Sequence, residues 1–80
     1  MAGRVCVVGS AKLDLVAQVE RLPGAGETVG ATGYFEAAGG KGLNQAVAAA
    51  RAGASVSFVG AVGDDSAGES LRSLARSESI

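Results

Sequence analysis

The stretch richest in usable chemistry is Ala38-Gly39-Gly40-Lys41-Gly42-Leu43-Asn44-Gln45-Ala46. Glycines at this density let a backbone come close to a ligand and present its N–H groups. The run opens directly into a helix-patterned segment, and a helix N-terminus carries unpaired donors and a partial positive charge that suit hydroxyl or anionic oxygens. Lys41 adds a mobile cationic donor. Asn44 adds an amide that both donates and accepts, the chemistry that reads a polyhydroxylated ligand. The plainer alternative is a glycine-rich turn with a solvated lysine. Asp14 is a further candidate as a carboxylate acceptor; on its own it reads more readily as a surface carboxylate on an exposed strand.

Two nucleotide-binding patterns fail. A Walker A loop places Ser or Thr after Gly-Lys, where a phosphate-bound magnesium is held, and Gly42 stands there instead. The dinucleotide fingerprint places three glycines between a strand and a helix; Gly24-Ala25-Gly26 is followed by Glu27-Thr28-Val29, which lacks the third glycine and favours a strand. Asp64 and Asp65 look like paired carboxylates, but beside Ser66 they more simply end a strand and favour a helix N-terminus.

The elements that must position these residues follow from periodicity. Residues 4–8, rich in β-branched side chains and closed by Gly9-Ser10, form a strand of the kind buried on both faces of a parallel sheet. Residues 13–19 alternate as a half-exposed strand, with Leu13, Leu15, Ala17 and Val19 on one face. Pro23-Gly24-Ala25-Gly26 is a turn. Residues 28–38, broken by Gly30 and Gly33, make one or two short strands that fold back as a small flap. The glycine run 39–42 breaks regular structure, and a helix over 43–52 shows Leu43, Ala46, Val47 and Ala50 on one face. Gly53 sits where a helix-ending glycine belongs. Residues 55–62 form a second buried strand. Ser66-Ala67-Gly68-Glu69 has capping-box spacing, so a second helix starts after Ser66, with Leu71, Leu74 and Ala75 inward. The outer strands and their helical crossover are the start of an α/β fold. The polar residues 76–80 fall where a third strand is due, so the chain reads as a truncated piece.

Composition narrows the function classes. Eighty residues make at most one small domain, and such a chain buries only about 60–65% of its unfolded surface. The balance of 48% hydrophobic and 19% charged residues is that of a globular chain, although alanine and glycine supply much of it and the core is thin. A net charge of −1 without any basic cluster gives no footprint for nucleic acid or an anionic membrane. The single cysteine, Cys6, is expected to be a buried structural thiol. The short apolar run at the N-terminus suits neither a signal peptide nor a membrane span, so a cytoplasmic location is expected.

Taken in order, Val7-Val8-Gly9-Ser10, Asp14, Pro23 with Gly26-Glu27-Thr28, Gly39-Gly40-Lys41-Gly42 with Asn44-Gln45-Ala46, Gly53, Gly60, Gly63-Asp64-Asp65-Ser66 and Gly68-Glu69 form a long ordered match. On these residues the chain, up to about Leu71, resembles the N-terminus of the ribokinase-like (PfkB) family of carbohydrate kinases. The resemblance implies a three-layer fold, a parallel sheet with helices on both faces, plus a small β-sheet lid. It makes residues 1–80 the N-terminal part of one kinase domain, with lid segments at about 12–20 and 28–38.

The same resemblance implies roles at matching positions. Asp14 would accept hydrogen bonds from sugar hydroxyls, and Gly39, Gly40, Lys41 and Asn44 would line the same pocket. Ribokinases usually carry Asn where this chain has Lys12, so Lys12 is an additional candidate, and its amine in place of a two-way amide weakens the case for ribose itself. The implied reaction is ATP-dependent phosphorylation of a sugar hydroxyl, with ATP and Mg²⁺ used by the full-length enzyme and neither bound by this fragment alone. The family's catalytic aspartate lies in a Gly-Ala-Gly-Asp motif near the C-terminus; Gly24-Ala25-Gly26-Glu27 echoes it by coincidence. No catalytic or metal-binding residue is therefore expected here. The lid can also serve as a homodimer contact. The competing reading is a non-catalytic chain that acts only as a dimerising or partner-docking module.

Overall fold

The computed structural model describes residues 3–80. The order is β1 (Arg4–Val8), β2 (Lys12–Gln18), β3 (Gly33–Gly39), α1 (Lys41–Arg51), β4 (Ser55–Val59) and α2 (Ser66–Ser77). β1 and β4 pair in parallel, from Arg4 opposite Ser55 to Val8 opposite Val59. β2 and β3 pair antiparallel, from Lys12 opposite Gly39 to Gln18 opposite Gly33. The result is a mixed α/β arrangement of two two-stranded sheets, with α1 packed on β1 and β4 and α2 against β2.

The core is small. Among the described residues Leu43, Ala46, Val56 and Leu71 are its buried apolar side chains, two from α1, one from β4 and one from α2. The expectation that β1 is buried on both faces is not met: Val8 is 77% exposed, only Val7 is half-buried, and Cys6 is exposed rather than a core thiol. A parallel strand becomes an apolar interior only when it has neighbours on both edges and cover on both faces. Among the described residues β1 has one partner strand and one covering helix.

Other boundaries shift for local reasons. β4 ends at Val59 instead of 62, and the flap's return segment is one strand, with residues 28–32 outside it. The link between β2 and β3 is clasped within itself. Glu27 N–H donates to the Gly24 carbonyl at 3.1 Å, and the Glu27 carboxylate accepts from Gly24 N–H at 2.9 Å and from both Arg21 nitrogens at 2.5 and 2.8 Å. The Arg21 guanidinium, aided by that N–H, holds the Glu27 carboxyl below the usual carboxylate range.

Each helix end has its own device. At the end of α1, Gly53 N–H donates to Ala50 C=O and Ala54 N–H to Ala49 C=O, with Gly53 at φ +100, a Schellman arrangement. α2 is capped by Asp65, not Ser66: Asp65 is extended and its carboxylate accepts from Gly68 N–H at 2.8 Å. Arg51 reaches from the end of α1 to grip Glu78 just past α2 with both its Nε and a terminal nitrogen, which holds the Glu78 carboxyl low. Asp65→Ala is expected to cost about 0.5–2 kcal/mol of stability, the usual value of an N-cap, whereas Asp64→Ala stays within about 0.5 kcal/mol. Urea unfolding of both variants checks this. An equal loss from Ser66→Ala would return the cap to Ser66.

Candidate functional site

The site is assembled where the end of β1 meets the start of α1. Gly39 closes β3, Gly40 alone makes the turn, and α1 already begins at Lys41. The glycine run is thus not a loop but a strand, one pivot residue and a helix. Gly40 adopts φ +97 and ψ +137, a conformation that costs side-chain-bearing residues heavily. A methyl group there would fall 2.6 Å from the Ser10 carbonyl oxygen. At Gly42 a methyl would lie 2.9 Å from both Gly9 Cα and Ser10 N, so the first turn of α1 rests on the backbone that leaves β1. Leu43 N–H donates to Ser10 C=O at 3.1 Å, and Asn44 N–H makes the first helical bond, to Gly40 C=O at 3.0 Å. No side chain caps α1. With Leu43 N–H taken by Ser10, the Lys41 and Gly42 N–H groups of the first turn are left for a ligand or for water.

Asp14 stands on β2 opposite Ala37, two residues out from the Lys12–Gly39 pair that roots the antiparallel sheet. Alternation puts Lys12, Asp14 and Gly39 on one face. The contacts agree: Lys12 Nζ lies 3.3 Å from Asp14 Oδ1, and Asp14 Oδ2 lies 2.8 Å from where a Cβ of residue 39 would be. Gly39 and Gly40 are buried, while Lys41 and Asn44 are exposed. Asn44 borders an open groove with Ala38, Leu43, Val47, Ala48, Arg51 and Leu74, and Asp14 is not among the residues lining it. Ala38 and Gly39 lie on opposite faces of β3.

The structure thus brings Lys12, Asp14 and Gly39 into contact. Gly40 joins them to the helix start that bears Lys41 and, one turn on, Asn44. Gly9 and Ser10 belong to the same junction. Sequence reading placed them only at the end of a strand, because a pairing between Gly9 and Gly42, thirty-three residues apart, leaves no local signal. The tempting carboxylates are structural: Glu27 is tied to Arg21 and Asp65 caps α2. The arrangement offers a carboxylate acceptor, uncapped backbone N–H donors and an ammonium at one junction, a set suited to hydroxyl groups, while the Asn44 amide lies one turn along α1 on a groove that Asp14 does not line.

A family model described as pfkB family carbohydrate kinase matches residues 2–80. Among known proteins, the ribokinase of Bacillus subtilis is 54% identical over 67 residues, covering 84% of this chain and 23% of that protein. The crystal structure of the ribokinase of Cryptococcus neoformans in complex with ADP superposes with a TM-score of 0.83 at 39% identity, over 99% of this chain and 24% of that one. The ribokinase of Arabidopsis thaliana complexed with ribose and ATP gives 0.76 at 44% identity, over 94% of this chain and 24% of that one. The chain spans about a quarter of the length of these relatives. No helix among the described residues is long and apolar enough to cross a membrane.

Proposed function

The chain belongs to the pfkB family of carbohydrate kinases, and on that premise we propose that the protein transfers the γ-phosphoryl group of ATP to a hydroxyl of a small sugar of the ribose type. The sugar oxygen forms the new P–O bond, the β–γ bridging bond breaks, ADP leaves and the hydroxyl proton is released. These 80 residues contribute one side of the sugar site. Asp14 accepts hydrogen bonds from sugar hydroxyls, the Gly39–Gly40 backbone and the uncapped start of α1 face the ring oxygens, and Lys41 and Asn44 donate at its edge. The antiparallel pair acts as the lid. In such transfers catalysis is chiefly positioning and electrostatic stabilisation by magnesium and donors around the phosphates, and we assign that part to chain outside these residues. A cytoplasmic setting goes with ATP as donor.

The observation that carries this reading is the seat of Asp14: a half-exposed carboxylate set over a side-chain-free Gly39, next to a helix start with free donors. The test compares the whole protein with residues 1–80 alone, given ATP, Mg²⁺ and a panel of ribose, deoxyribose and fructose. The whole protein is expected to release ADP only when a sugar is present, and the 80 residues alone to release none. ATP turnover indifferent to every sugar would refute the kinase reading. Turnover by the 80 residues would refute the division of labour.

A second role, pairing with another copy through the antiparallel sheet, is favoured by its exposed apolar side chains. Leu15 is 66% exposed and Tyr34 59%, on one face.

A further inference from the structure

We infer that Lys12 is a positioning residue that acts on the substrate through Asp14. The inference rests on the sugar-site reading of Asp14. It starts from the surroundings of the carboxylate. Oδ1 faces Lys12 Nζ at 3.3 Å, and Oδ2 occupies the space over Gly39 that a side chain there would take, 2.8 Å from where its Cβ would stand. Among the described residues Lys12 is the one cation within 4 Å of Asp14. A carboxylate on a half-exposed strand can turn freely about its side-chain torsions. Here one oxygen is drawn toward an ammonium two residues back on the same strand face, and the other rests over bare backbone. The turn angle of the group is thereby set before a ligand arrives, and the outward lone pairs of both oxygens stay free to accept.

An exposed ion pair adds little to folding, because water screens it and two long side chains must be held still. The side chains of Lys12 and Asp14 are 65% and 45% exposed, so a stability role is the weaker explanation of the contact. A preset acceptor, in contrast, spares a ligand the cost of ordering it. The ammonium therefore matters for sugar binding more than for the fold.

The experiment is a double-mutant cycle in the whole protein on Lys12→Met and Asp14→Ala, read by sugar KM, kcat, ATP KM and calorimetric sugar affinity. Lys12→Met keeps length and removes charge. It is expected to raise sugar KM about three- to five-fold, in line with the modest strength of such pairs, with kcat, ATP KM and melting temperature essentially unchanged. Lys12→Arg is expected to restore the wild-type KM. In the Asp14→Ala background Lys12→Met is expected to do nothing further, the signature of residues acting as one unit. Additive effects would show that Lys12 meets the sugar itself and would overturn the inference. So would a KM change that tracks a fall in melting temperature. A wild-type protein that binds no sugar in the calorimeter would sink the site reading together with this inference, whereas normal sugar binding with an additive cycle would sink the role of Lys12 alone.

Discussion

Asp14→Ala in the whole protein is expected to lower kcat/KM for the sugar ten-fold or more while leaving ATP KM and melting temperature almost untouched. Removing an acceptor from a buried substrate hydroxyl costs on the order of 1–3 kcal/mol, with charged acceptors at the upper end, which covers a range of roughly five- to more than a hundred-fold. The same change costs the fold little. Asp14 caps no helix and its one ion pair is with a lysine that is itself largely exposed. Surface substitutions of that kind stay within about 0.5 kcal/mol. Asp14→Asn keeps the shape and one acceptor oxygen, so it should fall between wild type and alanine. The decisive comparison is steady-state kinetics for both substrates alongside thermal unfolding. An alanine variant that melts early yet keeps its sugar kinetics would mark Asp14 as structural.

Gly40→Ala is expected to damage both fold and sugar use. Its backbone, at φ +97 and ψ +137, lies where a side chain costs about 1–3 kcal/mol, and the added methyl would meet the Ser10 carbonyl oxygen at 2.6 Å. That oxygen accepts from Leu43 N–H, so the clash is relieved only by moving the bond that seats α1 on β1. In a protein about four times this length, as its relatives are, each kcal/mol lowers the melting temperature by at most about 2–4 °C. A shift of the helix start by about 1 Å can cost a positioned reaction some hundred-fold. Gly53→Ala is the matched control. Gly53 also has a positive φ, +100, but nothing lies within 4 Å of the added methyl, so stability should fall by the backbone term alone and sugar kinetics should hold. Equal kinetic losses in the two variants would show that Gly40 matters only for stability.

Much of the architecture was readable from the chain. The β-branched run at 4–8, the apolar face of Leu43 and Ala46, and Gly53 as the end of α1 are local signals, and each element stands where its signal lies. The misreadings share a cause in what a single strand or loop cannot announce. Cys6 and Val8 carry interior-type side chains, but whether they are covered depends on neighbouring strands, and among the described residues only β4 supplies one. Residues 39–42 read as a loop because Gly39, Gly40 and Gly42 each disfavour a helix. In fact Gly42 is required inside the first turn of α1, because the Gly9–Ser10 backbone lies against it. Ser66 and Asp65 are adjacent cap-forming residues, and choosing between them needs the position of Gly68 N–H. The candidate site was legible in part. The donors around Gly40 follow from residue types, but Asp14 on its own reads as an ordinary surface carboxylate, and only the family resemblance singled it out.

The rooting of the antiparallel pair has a mechanical side. Its base is the Lys12–Gly39 pair, adjoining the single-residue joint at Gly40, and its seven-residue strands run out to Gln18 and Gly33. At about 3.3 Å per residue the outer end of each strand lies roughly 20 Å from that base, and Asp14 only about 7 Å. A rocking of ten degrees about the joint would sweep the outer end through roughly 3–4 Å and carry Asp14 about 1 Å, by the same spacing. The sheet is thus a lever with the carboxylate near its fulcrum. In the lid role proposed for it, the far end would travel while Asp14 keeps its station beside Gly39.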